Sequence, residues 1–302
     1  MQLLKADFVN HNGQRLKFGQ GEGIFLNAHS LRDYQHVAIE KGGRIRGWKR
    51  GGITDKVLPL AIYAENEGRA NYIKDELFSI AEADILDKNL TNSTAGKLYI
   101  NGYYLDCYIY GQSFTKWNAS EKFLRVDCAL KSETGLWKKK LSTLKFEGAI
   151  VESIPDDDLV GASPNPSVSW TGGTKGYFYG YPYGYAKPIY EHTIENNTGA
   201  RMGWIAVAYG AANNVTFSIG GVQRTVNVSL GYGEKLEIKA LHFEKTIYKI
   251  KADGKRENCF AYQDFGSDIF APIETGRQII GWDGKLTFTL TRIIERSTPE
   301  WR

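Results

Sequence analysis

The amino-acid sequence predicts a mainly β protein of two domains, the first a β-sandwich-like domain with one helix, the second a β-sandwich or jelly roll. Three observations carry this. Short runs of alternating apolar and polar residues recur along both halves. A single stretch near residue 75 switches to helical periodicity. Between the halves, proline and glycine cluster so densely that no regular element can form there.

In the first half, YYLDCYIY sets Tyr103, Leu105, Cys107 and Ile109 against Tyr104, Asp106, Tyr108 and Tyr110. That period of two marks a strand with one buried face. KFLRVDCAL repeats it with Leu124, Val126, Cys128 and Leu130, so both cysteines point inward as small core residues. Asn12-Gly13 and Asn101-Gly102 read as type I′ turns, which need positive φ at both central positions. From Arg69 to Leu86, the residues Ile73, Leu77, Ile80, Ala81 and Ile85 form an apolar stripe at three- and four-residue spacing. Asp84 interrupts the stripe, and either Asn66 or Asn71 can cap the helix. A late strand is expected to end near GLW at Trp137.

The boundary lies where five of the eight prolines fall, between Pro155 and Pro188, with six glycines between Gly161 and Gly184. The expected division is residues 1–154, a junction over 155–187, and a second domain over 188–302. In the second domain RMGWIAVAYG, NVTFSIGG, VQRTVNVSL, KLEIKAL, TIYKIKADG and KLTFTLTRII are β-branched runs separated by turns, with Asp253-Gly254 and Asp283-Gly284 as hairpin signals. About 115 residues of this pattern suit a sandwich or jelly roll.

Charge and motifs argue against catalysis. The net charge of +4 is too small to imply nucleic-acid binding. No P-loop, G-x-S-x-G, H-E-x-x-H or G-x-G-x-x-G occurs, and Gly19 to Gly23 reads as a loop. Three cysteines without CxxC spacing and five scattered histidines support neither zinc nor redox chemistry. Asp264 and Asp268 read as loop acids, and Asp156 to Asp158 as a solvated turn. No catalytic residue, cofactor or metal is expected. Neither a signal peptide nor a membrane span is expected from the apolar runs, so synthesis in a reducing cytoplasm fits.

Two stretches stand out. KGGRIRGWKRGG, residues 41–52, gathers Arg44, Arg46, Lys49 and Arg50 around Trp48 with no acid. It reads as an exposed hairpin or arm reaching a partner chain, because Arg and Trp concentrate at interface hot spots. Gripping a nucleic-acid backbone while Trp48 stacks a base, or a purely solvated loop, are the alternatives. The junction carries Tyr177, Tyr179, Tyr181, Tyr183 and Tyr185. Tyrosine buries a large area with only two χ angles to freeze, so these rings suit a packed strap between domains. A glycan-stacking platform or a loosely ordered segment are the other readings.

The order of segments resembles the distal tail proteins of siphophages and prophages of Gram-positive bacteria. It is carried by the aromatic junction, the segment Phe270-Ala-Pro-Ile273-Glu-Thr-Gly276-Arg-Gln-Ile279-Ile-Gly-Trp282 and the ending Glu295-Arg296-Ser-Thr-Pro299-Glu-Trp301. GKLYINGYYLDCYIYG and the helix near residue 75 fit the first half. The junction departs from the family in reading Tyr-Gly and Tyr-Pro where Tyr-Asp is usual. The resemblance implies a structural baseplate protein at the tail tip of the virion, made and assembled in the bacterial host cytoplasm. It implies a homo-hexameric ring built by the N-terminal domain, and a galectin-like C-terminal β-sandwich. It also implies the major tail tube protein, a tail-tip or lysin-type protein and a receptor-binding protein or fibre as partners, with no membrane and no sequence-specific nucleic acid. The alternative is a carbohydrate-binding module that recognises host cell-wall glycans, and behind it a cell-wall hydrolase.

Overall fold

The structure, a computed structural model, describes residues 6–19, 21–27, 30–49, 51–86, 95–116, 123–148 and 190–300. The chain divides into two compact units, Met1–Lys139 with Glu295–Arg302, and Lys140–Ile294. It is mainly β with one α-helix among the described residues, and its sheets are antiparallel. The expected junction lies outside the described residues.

In the first unit, β1 (Ala6–Val9) pairs with β2 (Arg15–Phe18) on one side and β7 (Gly96–Ile100) on the other, and β7 pairs with β8 (Tyr103–Lys116). Further along, β8 pairs with β9 (Phe123–Ser132), β9 with β6 (Thr54–Tyr63), and β6 with β3 (Ile24–Leu26). Strand β8 thus serves two sheet regions in succession. Register shifts between Ile109 and Gly111, and between Phe114 and Lys116, mark bulges, which bend a strand and raise its twist. As the alternation requires, Tyr103, Leu105, Cys107 and Ile109 are buried, as are Leu124, Val126, Cys128 and Leu130. Desolvation, with help from the Asp127 charge, pushes the Cys128 thiol up to about 12, so it is an inert core group.

Helix α1 (Glu67–Leu86) packs on β8, β2 and β6. Asn66 is the cap, its Oδ1 accepting the Arg69 N–H at 2.9 Å. Ala70, Ile73, Leu77, Ile80 and Ala81 are buried, but Ile85, expected in the stripe, is 46% exposed. At ~100° per residue it lies about 120° round the helix from Ile73, where the supporting sheet no longer reaches. Asp84 takes the buried place instead. Its Oδ1 accepts the His11 backbone N–H and meets His11 Nδ1, each at 2.7 Å, which ties the end of the helix to the β1–β2 turn. Residue 96 must be glycine here, since a Cβ would overlap both Asp84 Oδ2 and the Phe8 ring.

Three expectations need correction. Asp283-Gly284 closes no hairpin, for the strands on either side of it, 276–282 and 287–296, lie in different sheets. Asn101 and Gly102 have φ of 49° and 80°, as a type I′ turn demands, whereas at Asn12-Gly13 only Gly13 is positive, at 81°. The chain makes a longer turn there, with Asn10 N–H donating to the Gln14 carbonyl and Gly13 N–H to the Asn10 carbonyl. Trp137 opens a strand instead of closing one, for β10 runs over Trp137–Phe146. The residues that follow it, KKKLSTLKF, show no clear alternation from which that strand could be read. Burial of Lys138 is the reason, since its ammonium is held at 2.9 Å from the Asp106 carboxylate.

The second unit is a β-sandwich. Strands β11 (Tyr190–Asn196), β18 (Gly276–Trp282), β13 (Ala212–Ile219) and β14 (Val222–Leu230) form one sheet in that order. The facing sheet runs β17 (Arg256–Asn258), β16 (Lys245–Ile250), β15 (Lys235–Ala240), β12 (Gly203–Tyr209), β19 (Thr287–Arg296), then β10. Between them lie Phe146, Trp204, Phe217, Ile238, Trp282 and Phe288. Phe288 stacks on Phe146 at 4.5 Å and on Phe217 at 5.2 Å between centroids. Each such side chain contributes roughly 1.5–3 kcal/mol on burial.

Candidate functional site

Strands β4 (Val37–Lys41) and β5 (Arg44–Lys49) contain the basic stretch singled out above, and they form a two-stranded sheet of their own. Gly42 and Gly43, with φ of 62° and 71°, make the tight turn that two-residue hairpins require. Val37 faces Lys49, Ala38 faces Trp48, Ile39 faces Gly47, Glu40 faces Ile45 and Lys41 faces Arg44, with a bulge after Ile39 that leaves Arg46 as the extra residue.

Alternation therefore puts apolar side chains on both faces of the ribbon. Val37, Ile39, Ile45 and Trp48 are 52–60% exposed, and Ile53 just beyond is 75% exposed. Arg44, Arg46 and Lys49 are exposed as well. A two-stranded ribbon with nothing covering either face is marginal in water. Among the described residues no other strand pairs with the ribbon.

Its root, by contrast, is anchored. Leu31 is fully buried. Lys56 on β6 donates to the carbonyl oxygens of Asp33 at 2.5 Å and Leu31 at 3.4 Å, and burial pulls its ammonium below the usual lysine value against the opposing Asp33 charge. On the other side, Gly52 N–H donates to the Thr134 carbonyl at 2.8 Å. The arrangement is a ribbon held at its base and presented outward. Arg50 and the junction residues Tyr177, Tyr179, Tyr181, Tyr183 and Tyr185 lie outside the described residues.

In the second unit a shallow cleft of about 290 Å³ is lined by Tyr190, Glu191, Ser218, Gln223, Trp282 and Asp283, among others. Its aromatic floor belongs to the core. Trp282 is 8% exposed and packs against Phe146 at 5.0 Å and Tyr190 at 5.6 Å, so its indole offers a sugar little surface. Asp264 is engaged in its own loop, where it accepts the Gly266 N–H at 3.0 Å. Among the described residues no group of three or more His, Cys, Asp or Glu side chains could hold a metal ion, and no helix is long and apolar enough to cross a membrane.

Sequence reasoning missed the buried Arg224. It donates to the carbonyls of Val222 at 2.7 Å, Ala271 at 2.8 Å and Ile219 at 3.2 Å, clamping the 268–273 loop to the β13–β14 hairpin. Only its place in an alternating strand, VQRTV, could have hinted at this.

No protein-family model matches the chain, and no curated protein matches it significantly. Solved structures do. A chain of the phage P2 baseplate in its activated conformation with calcium superposes with a TM-score of 0.56 at 10% identity, covering 99% of this chain and all of the other. The same baseplate with strontium gives 0.54 at 11%, with coverage of 99% and 100%. The SPP1 Dit protein (gp 19.1), described as a paradigm of the hub adsorption apparatus in phages infecting Gram-positive bacteria, gives 0.51 at 7%, with coverage of 98% and 100%. At these identities the likeness is one of fold, and it spans both units.

Proposed function

We propose that this chain is a structural hub of a phage tail tip, a distal tail protein that closes into a homo-hexameric ring through its β4–β5 arm. The observation that carries the reading is the whole-length likeness, across both units, to a baseplate chain and to the SPP1 hub protein. The ribbon supports it from the other direction, as an anchored, basic arm with exposed apolar side chains on both faces. In this role the protein binds tail components and performs no chemistry. Its neighbours are the major tail tube protein on one side and tail-tip, fibre or receptor-binding proteins on the other, and its place is the virion tail tip.

Light scattering on the purified chain tests this. A mass near six times 33.9 kDa is the expected result, and a monomer at every concentration overturns the ring. Arg46→Ala combined with Trp48→Ala weakens assembly by about tenfold or more while leaving the melting of the single chain unchanged. Normal assembly with lost DNA affinity in that variant would instead favour the nucleic-acid reading. Hydrolysis of cell-wall polymer, abolished by one carboxylate substitution, would replace the hub with an enzyme.

A further inference from the structure

Helix α1 has an outer face that the described residues of its own unit leave exposed. At ~100° per residue, Tyr72, Asp75, Phe78, Glu82, Ile85 and Leu86 fall on one arc, opposite the buried Ile73, Leu77 and Ile80. A helix supported on one side normally turns polar side chains outward. Here Tyr72, Phe78, Ile85 and Leu86 are 46–62% exposed. The charges on the arc are acidic. Of the two cations in the helix, Arg69 lies over the Tyr72 ring at 5.0 Å and Lys74 sits half-buried on the flank.

We propose that the β4–β5 ribbon of one copy docks on this outer face of α1 in the next copy; the inference rests on the arm reading above and names the surface that receives it. The two surfaces are complementary. The ribbon carries Lys41, Arg44, Arg46 and Lys49 against the single acid Glu40, while the outer arc of the helix carries Glu67, Asp75 and Glu82. Both add exposed aliphatic and aromatic side chains that water leaves unpaired. Their lengths agree, since the face from Tyr72 to Leu86 spans about 21 Å along the helix and a ribbon of five- and six-residue strands about 17–20 Å. Opposite potentials across such a surface steer and orient the encounter, and the apolar groups supply the burial. Nucleic acid would match the cations but leave the aliphatic side chains of both ribbon faces in water, whereas an apolar helix face covers those of one. Because ribbon and helix face are different patches of one chain, the contact can run head-to-tail, the kind that propagates from copy to copy and closes a ring when the rotation suits.

Disulfide trapping tests the placement. Cys107, Cys128 and Cys259 are all buried, so introduced thiols report alone. Full-length chains carrying Ile45→Cys or Phe78→Cys are mixed and oxidised. A covalent dimer in the mixture, absent from either chain alone, is the expected result. In parallel, Arg44→Glu with Arg46→Glu, and separately Asp75→Lys with Glu82→Lys, each lower assembly roughly tenfold, and combining all four in one chain restores it to within about threefold. If the ribbon reversals weaken assembly while the helix reversals do not, the docking site is overturned and the ring reading stands. If neither set matters, both fall.

Discussion

Two hairpins in this molecule share the same turn and live in opposite surroundings. Gly42-Gly43 joins β4 to β5 with φ of 62° and 71°, and Gly220-Gly221 joins β13 to β14 with φ of 60° and 77°. Local chemistry is therefore the same. Yet β13 pairs with β18 on its far side and sends Val215, Phe217 and Ile219 into the sandwich, while β4–β5 pairs with no other strand among the described residues and exposes Val37, Ile39, Ile45 and Trp48. A glycine pair makes a hairpin; neighbours decide whether it becomes scaffold or surface. The contrast sets a ribbon whose burial carries stability beside an exposed one, to which the proposal above gives association.

The strongest way to break the comparison is to empty each ribbon in turn. Phe217→Ala removes a buried ring stacked on Phe288 and should cost roughly 3–5 kcal/mol in denaturant unfolding. Ile45→Ala on the exposed ribbon should stay within about 0.5 kcal/mol of the parent in the same assay. Similar losses at both sites would mean that the ribbon is already packed within its own chain.

A subtler comparison uses the turns. An alanine Cβ meets no atom within 4 Å at either Gly43 or Gly221, so only backbone strain of about 1–2 kcal/mol opposes the change. At Gly221 that strain should lower the global unfolding free energy. At Gly43 it should surface only as faster amide exchange in residues 37–49, because the ribbon opens without the rest.

The smallest effect at neutral pH concerns thiols. Burial raises the Cys128 value to about 12, so the folded state holds its proton where the unfolded chain, near 9, would release it. The resulting stabilisation is complete below about pH 9 and lost as the pH climbs toward 12. At about pH 8 an Ellman assay should therefore find the native thiols silent and a thiol introduced by Ile45→Cys reactive at once. Prompt native reactivity would show that the β6–β9 scaffold opens easily.

Much of the architecture was legible in the amino-acid sequence. Period-two alternation located β8, β9 and most strands of the sandwich, because a half-buried strand must alternate. The helix announced itself by its stripe, and residues 41–49 by a cluster of cations and a Trp between glycines. Legibility failed where a residue answers to distant neighbours. Asp84 reads as a flaw until His11, far away in the chain, is brought to it. Ile85 fits the stripe by spacing but lies beyond the support of the sheet. The short strand β17 and the edge strand β11 lack a strong pattern, since an edge strand borrows its order from β16 or β18.

By itself, then, the sequence determined the β character, the single helix, the turn positions and the existence of an unusual basic stretch, all consequences of interactions over a few residues. Only the tertiary structure decided that β8 serves two sheets, that Arg224 is a buried clamp, and that the basic stretch is an anchored ribbon with exposed apolar side chains on both faces. The physical reason is that burial belongs to an arrangement of elements. A valine at position 37 has the same local preference in either hairpin, and what covers it is settled by chain segments that its neighbours in the sequence cannot name.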